Sequence, residues 1–145
     1  MAVSKKQLID KYNMQPHPEG GFYAETFLSS VSVDTVKGPR SASTAIFFLM
    51  SEGNISRFHR IVSDEVWHFY LGSSISVVEL DEATGGHKTT ILGPNISTSA
   101  EEGQGEVVQY VVKGGSWFGS FPNLDASSKS GGNGNGNGTT ATEEA

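Results

Sequence analysis

Apolar and polar residues alternate along most of this chain, and the period of the alternation changes once. Near the N-terminus Leu8, Ile9 and Tyr12 fall on adjacent turns of a helix, and Ser4 is placed to cap it. His17-Pro18-Glu19-Gly20-Gly21 then ends the helix, because proline and paired glycines punctuate regular structure. From Phe22 onward the pattern is that of strands. The sequence predicts them over Phe22–Leu28, Ser43–Met50, Ser56–Arg60, Glu65–Leu71, Ser74–Asp81, His87–Leu92, Val107–Val112 and Ser116–Phe121. These runs are rich in Val, Ile, Phe, Tyr and Thr, and turn signals such as Glu82-Ala83-Thr84-Gly85-Gly86 and Gly114-Gly115 separate them. Many short strands with glycine turns predict a sandwich or barrel, and no internal repeat is present.

Composition refines this picture at the C-terminus. Residues 127–140 carry no large apolar side chain and cannot offset the entropy of ordering. The expected organisation is therefore a folded domain over residues 1–124 and a disordered Gly/Asn/Ser-rich tail over 125–145. At 145 residues the chain supports one domain with a single core. A net charge of −6 argues against a nucleic-acid partner, since phosphate binding requires clustered Lys and Arg. No apolar run approaches the ~20 residues that span a bilayer, and the polar start Met1-Ala2-Val3-Ser4-Lys5-Lys6 has no signal-peptide core. The expected location is cytoplasmic, without a membrane partner. With no cysteine, disulfides, thiolate metal sites and cysteine nucleophiles are excluded. The sequons at Asn54, Asn95 and Asn137 then read as chance matches.

Residues two apart on a strand share a face, which groups the candidate chemistry. Arg57, His59 and Ile61 fall together on one strand. On the next, Glu65, Trp67, Phe69 and Leu71 share a face, opposite Val66, His68 and Tyr70. If Glu65 faces the interior with His59, His68 does not. A histidine–carboxylate pair in an aromatic-lined cavity is a general acid–base arrangement suited to proton abstraction beside a carbonyl. The competing reading is a buried Glu65 carboxylate held by Arg57 or His59, with no catalytic role. Trp67, Phe69 and Trp117 line a pocket or form plain core. Tyr23 and Glu25 share a face and either enter the cavity or sit at an exposed edge. Arg40 is a candidate for an anionic ligand or for a carboxylate partner. His17, in a turn between two prolines, and His87, at a hairpin, read as exposed.

The stretch from Gly53 to Gly72 resembles the first sequence motif of the cupins: Gly, five residues, His-x-His, three or four residues, Glu, six residues, Gly. Only Ile61 departs from it, standing where the second histidine belongs. The second cupin motif falls on Val111 to Trp117, where Gly114 fits, Val112 replaces a proline and Trp117 replaces a histidine. The resemblance implies His59 and Glu65 as metal ligands, two where a catalytic zinc usually has three and an iron facial triad needs three. Gln109 or Glu25 could complete an oxygen-rich site for manganese or nickel; a degenerate or absent metal site is the favoured reading.

Further blocks extend the likeness: Pro16 to Thr26, Ser43 to Leu49, Phe58 to Tyr70 and Gln109 to Gly119. Together they resemble a family of small single-domain cupins of largely unassigned role, whose members tend to carry a hydrophobic residue at the position of Ile61. The implied fold is the double-stranded β-helix, or jelly roll, of the nucleotide-sugar epimerases, often as a homodimer. The family's characteristic residues fall on Glu19, Tyr23, Glu25, Thr44, His59, Glu65, His68, Gln109 and Trp117. Family members continue with further strands beyond Gly119, so the chain is expected to lack C-terminal strands.

The expectation is thus an all-β cupin jelly roll with a short N-terminal helix and a small-molecule pocket, for a sugar or sugar nucleotide. Its candidate catalytic residues are His59 as base, Glu65 as orienter or metal ligand, and Tyr23 as acid, in an isomerase or epimerase. Its candidate ligand-binding residues are Glu19, Glu25, Arg40, Thr44, Arg57, Trp67, Gln109 and Trp117. The alternatives are a binding or interaction module without catalysis, or an inactive truncated paralogue.

Overall fold

The computed structural model describes residues 3–96 and 105–123; the tail expected over 125–145 lies outside them. Helix α1 spans Lys5–Tyr12 and starts as predicted. Ser4 Oγ accepts the Gln7 N–H at 3.3 Å while Gln7 Oε1 accepts the Ser4 N–H at 2.8 Å, a reciprocal capping box that satisfies two otherwise orphaned donors. Asn13 closes the helix in the left-handed conformation, φ 49°.

Eleven strands follow among the described residues: β1 Gln15–Pro16, β2 Phe22–Leu28, β3 Ser32–Thr35, β4 Gly38–Ser41, β5 Thr44–Leu49, β6 Ser56–Arg60, β7 Glu65–His68, β8 Ile75–Asp81, β9 Gly86–Leu92, β10 Gln109–Val112 and β11 Trp117–Pro122. All eight predicted strands are present, with ends shifted by a few residues. The short β1 and the β3–β4 hairpin were not foreseen. Every residue of β3 is exposed, so the segment has no buried face to generate an alternating pattern.

The strands form a four-stranded sheet β6-β11-β8-β9, a three-stranded sheet β1-β2-β5, and the pairs β10-β7 and β3-β4. All the strand pairings are antiparallel. This is the all-β jelly roll with one short helix; its sheets do not close into a barrel. Trp67 of β7 packs edge-on against Phe48 of β5, centroids 6.0 Å apart, and against Phe118 of β11 at 6.5 Å, so three sheets share one interior. The core is small. Val77, Leu92, Val112 and Phe118 are essentially fully buried, with Ile61, Trp67, Phe69, Ile75, Val107 and Tyr110 partly buried against them.

Candidate functional site

Strand pairing places His59. It lies directly across from Phe118, and the two rings pack at 4.2 Å between centroids. The His59 Nδ1 lies 2.8 Å from the backbone carbonyl of Arg57, which can only accept, so this nitrogen carries a hydrogen. That bond fixes the ring and turns Nε2 away from the strand.

A loop delivers the partner. The segment Pro18-Glu19-Gly20 lies against the start of β6. Gly20 has φ +122°, and a Cβ there would sit 1.9 Å from the Ile55 carbonyl oxygen; no other residue type fits. Arg57 clamps the loop twice, donating its backbone N–H to the Glu19 carbonyl at 3.0 Å and its guanidinium to the Pro18 carbonyl. Glu19 Oε2 consequently reaches His59 Nε2 at 3.1 Å. The same oxygen lies 4.0 Å from His17 Nδ1, which accepts the Glu19 N–H at 3.2 Å.

Glu65, on β7, completes the cluster. It is half-buried, and burial pushes its carboxyl above the ordinary carboxylate range; the His59 ring pulls it down and Glu19 pushes it up. The indole N–H of Trp67 also favours the charged form of Glu65, yet this buried nitrogen has no acceptor at hydrogen-bonding geometry. Around these groups stand Tyr23 and Phe48, which pack edge-on against His17 at 5.0 and 5.2 Å. With Nδ1 donating to a carbonyl, Nε2 faces the Glu19 carboxylate oxygen within hydrogen-bonding reach. The pair is placed so that it can pass a proton, beside a second carboxylate whose charge is disfavoured.

The same geometry bears on a metal. Both nitrogens of His59 are engaged, Ile61 offers no donor, and Trp117 packs with Arg60 at 5.2 Å on the opposite face of β11 from Phe118. Among the described residues no three His, Cys, Asp or Glu side chains are arranged to hold a metal ion. The cupin metal does not fit this donor set.

The structure brings His59, Glu65, Glu19 and Trp67 together, places Tyr23 on the wall beside His17, and puts Arg57 at the rim. It does not bring the remaining candidates there. Glu25 and Thr44 are exposed on β2 and β5, and Arg40 is exposed on the β3–β4 hairpin. Gln109 bonds His68 Nδ1 at 3.2 Å on the outward face of the β10–β7 pair. His17 was expected to be exposed, but its side chain is only 21% accessible and belongs to the cluster. Its position in a loop gives no periodicity from which to infer a face. A second polar cluster escaped the sequence reading: Lys88 Nζ donates to Tyr110 Oη at 2.8 Å, and Tyr110 donates to Glu79. Lys88 and Glu79 face each other across the β9–β8 pairing, and Tyr110 reaches them from β10 of another sheet, so only the folded chain unites them.

The family model described as Cupin superfamily (DUF985) matches residues 6–131. A hypothetical protein from Leishmania major has a similar structure, with 31% identity and a TM-score of 0.71 over 86% of this chain and 73% of that one. A crystal structure of a protein from Shewanella oneidensis is similar at 31% identity and a TM-score of 0.74, over 86% of this chain and 72% of that one. No curated protein matches the chain. Among the described residues no helix is long and apolar enough to cross a membrane.

Proposed function

Because this chain belongs to the DUF985 family of the cupin superfamily, whose fold encloses small molecules, we propose that the His59 cluster is an acid–base pocket for a carbohydrate-like ligand and that the protein is an isomerase or epimerase. The observation that carries this reading is the 3.1 Å contact of His59 Nε2 with Glu19 Oε2 beside Glu65, a carboxyl that burial holds toward its neutral form.

The chemistry follows from the positions. When an entering ligand displaces the Glu19 carboxylate from Nε2, the His59 Nε2 lone pair faces the ligand and can take a proton from a carbon next to a carbonyl. In its protonated form, which burial favours, Glu65 hydrogen-bonds the carbonyl oxygen and gives its proton as the enediol forms. Return of a proton to carbon from His59, with that hydroxyl proton returning to Glu65, restores both groups and allows the opposite face or the neighbouring carbon to be protonated. The Arg57 carbonyl holds the imidazole in register throughout, as a positioning group. In this arrangement the acid is Glu65, and Tyr23 contributes wall. The alternative, binding without turnover, draws on one observation: both ring nitrogens of His59 already have partners.

The test is incubation of the protein with a panel of aldoses, ketoses and their nucleotide-linked forms in D₂O, followed by proton NMR. Deuterium is expected to enter at a carbon next to the carbonyl, and His59→Ala should lower the rate by about 10²-fold or more while circular dichroism stays unchanged. Binding without exchange would establish the non-catalytic module. Exchange undiminished in His59→Ala would remove His59 from the mechanism.

A further inference from the structure

Strand register carries the second polar cluster to a place of its own. His59, Phe118, Glu79 and Lys88 are successive partners across β6, β11, β8 and β9, so their side chains form one row on one face of the sheet. Phe118, fully buried, stands within that row and divides His59 from Glu79 and Lys88. Beside Glu79 and Lys88 lies an open cleft of about 480 Å³ between the β8–β9 hairpin and β10, with Leu80, His87, Tyr110 and Val111 in its lining. That is room for a small ligand.

The cleft offers a divided charge pair. Lys88 Nζ donates to Tyr110 Oη at 2.8 Å, and Tyr110 Oη in turn donates to Glu79 Oε2. The phenol oxygen therefore stands between cation and anion and keeps them from closing on one another. Each retains bonding capacity. The ammonium has three donors and gives one to Tyr110, and the carboxylate has a second oxygen, Oε1. The hydrogen bond to Tyr110 raises Lys88 above its ordinary range, so the ammonium stays charged at neutral pH. The other charges of the cleft are already matched. Asp81 accepts the Ala83 N–H at 2.9 Å and the Thr84 hydroxyl at 2.6 Å within its own turn, and Lys113 holds Asp64 at 2.8 Å. Leu80 and Val111 give the lining an apolar part.

We propose that this cleft binds a small zwitterion with an apolar side group, of the α-amino acid class, at a site separate from the His59 cluster. The ligand carboxylate takes the remaining N–H groups of Lys88, and the ligand ammonium donates to Glu79. A plain anion satisfies only the lysine and is repelled by the glutamate; a plain cation meets the reverse. The Tyr110 hydroxyl is a positioning group, because without it the two charges would meet and cancel.

The test is calorimetric titration of the full chain with leucine, methionine and phenylalanine, each beside its N-acetyl derivative, which lacks the ammonium, and its amide, which lacks the carboxylate. At least one free amino acid should bind, and both of its derivatives should bind about tenfold more weakly or worse. Lys88→Met and Glu79→Gln, each checked by a thermal melt, should weaken binding by a similar factor. Tyr110→Phe keeps the ring against the core yet should lower affinity about threefold or more, as Lys88 and Glu79 close on each other. Added to Glu79→Gln, the same change should cost nothing further, since no carboxylate remains to close on Lys88. No binding by any of the three amino acids, a derivative bound as tightly as its parent, or binding undiminished in both Lys88→Met and Glu79→Gln overturns the proposal.

Discussion

Glu65 shows how a single residue carries both a site and a cost. Its folded carboxyl is raised above its ordinary value of 4.5, chiefly by burial. A raised acid favours the fold while protonated, and that contribution is lost as pH rises through the folded value. Near neutrality the ionised group therefore destabilises the protein. Glu65→Gln should raise the melting temperature at pH 7 by ~2–4 °C, with the advantage fading below pH 4.5; an equal gain at pH 3 and pH 7 would show that charge is not the cause. At this scale strand alternation alone placed His59, Glu65 and Trp67 on inward positions. Glu19 was legible only through the family likeness, because a loop glutamate next to two glycines has no face to read. His17 escaped altogether for the same reason. The partner that the motif would supply at Ile61 is here a carboxylate from 40 residues earlier in the chain, and no spacing rule reaches that far.

At the level of elements, the loop between β1 and β2 matters as much as any strand. Gly20→Ala would drive a methyl into the Ile55 carbonyl, forcing the loop off β6 and Glu19 away from His59. It should lower stability by ~1–3 kcal/mol and cut deuterium exchange at least tenfold. Gly115→Ala is the matched control. Gly115 also has a positive φ, +89°, but nothing within 4 Å of a new Cβ, so it should melt lower with exchange unchanged. Equal loss of exchange in both would detach the loop from the chemistry. Strands β8 and β9 were legible because they carry buried apolar side chains: they pair over seven residues, with Val77 and Leu92 facing in. The β3–β4 hairpin was not, since it turns on Val36-Lys37 with Val36 fully exposed, against every expectation for an apolar residue at a turn.

At the scale of the whole molecule, the described residues expose much apolar surface. Phe27, Leu28 and Ile46 are each about half accessible on β2 and β5, and among the described residues β5 is an edge of its sheet. An unpaired edge beside exposed apolar side chains invites pairing with another chain. Self-association should grow with concentration and as pH approaches the pI of about 5.1, where mutual repulsion falls away. Light scattering across pH checks this, and Ile46→Lys should suppress it; a monodisperse monomer at every pH would show the edge to be protected. The sequence shows that these residues are apolar, but not which neighbours fail to cover them. The clamp of Arg57 on the β1–β2 loop has one last consequence. Because a backbone bond from β6 holds the Glu19 carbonyl while the next residue but one on that strand carries His59, the backbones that present the two side chains belong to one frame. A ligand of the kind proposed would meet a cluster set before it arrives. Little backbone order would then be lost on binding, and small changes in the ligand's shape should be felt strongly.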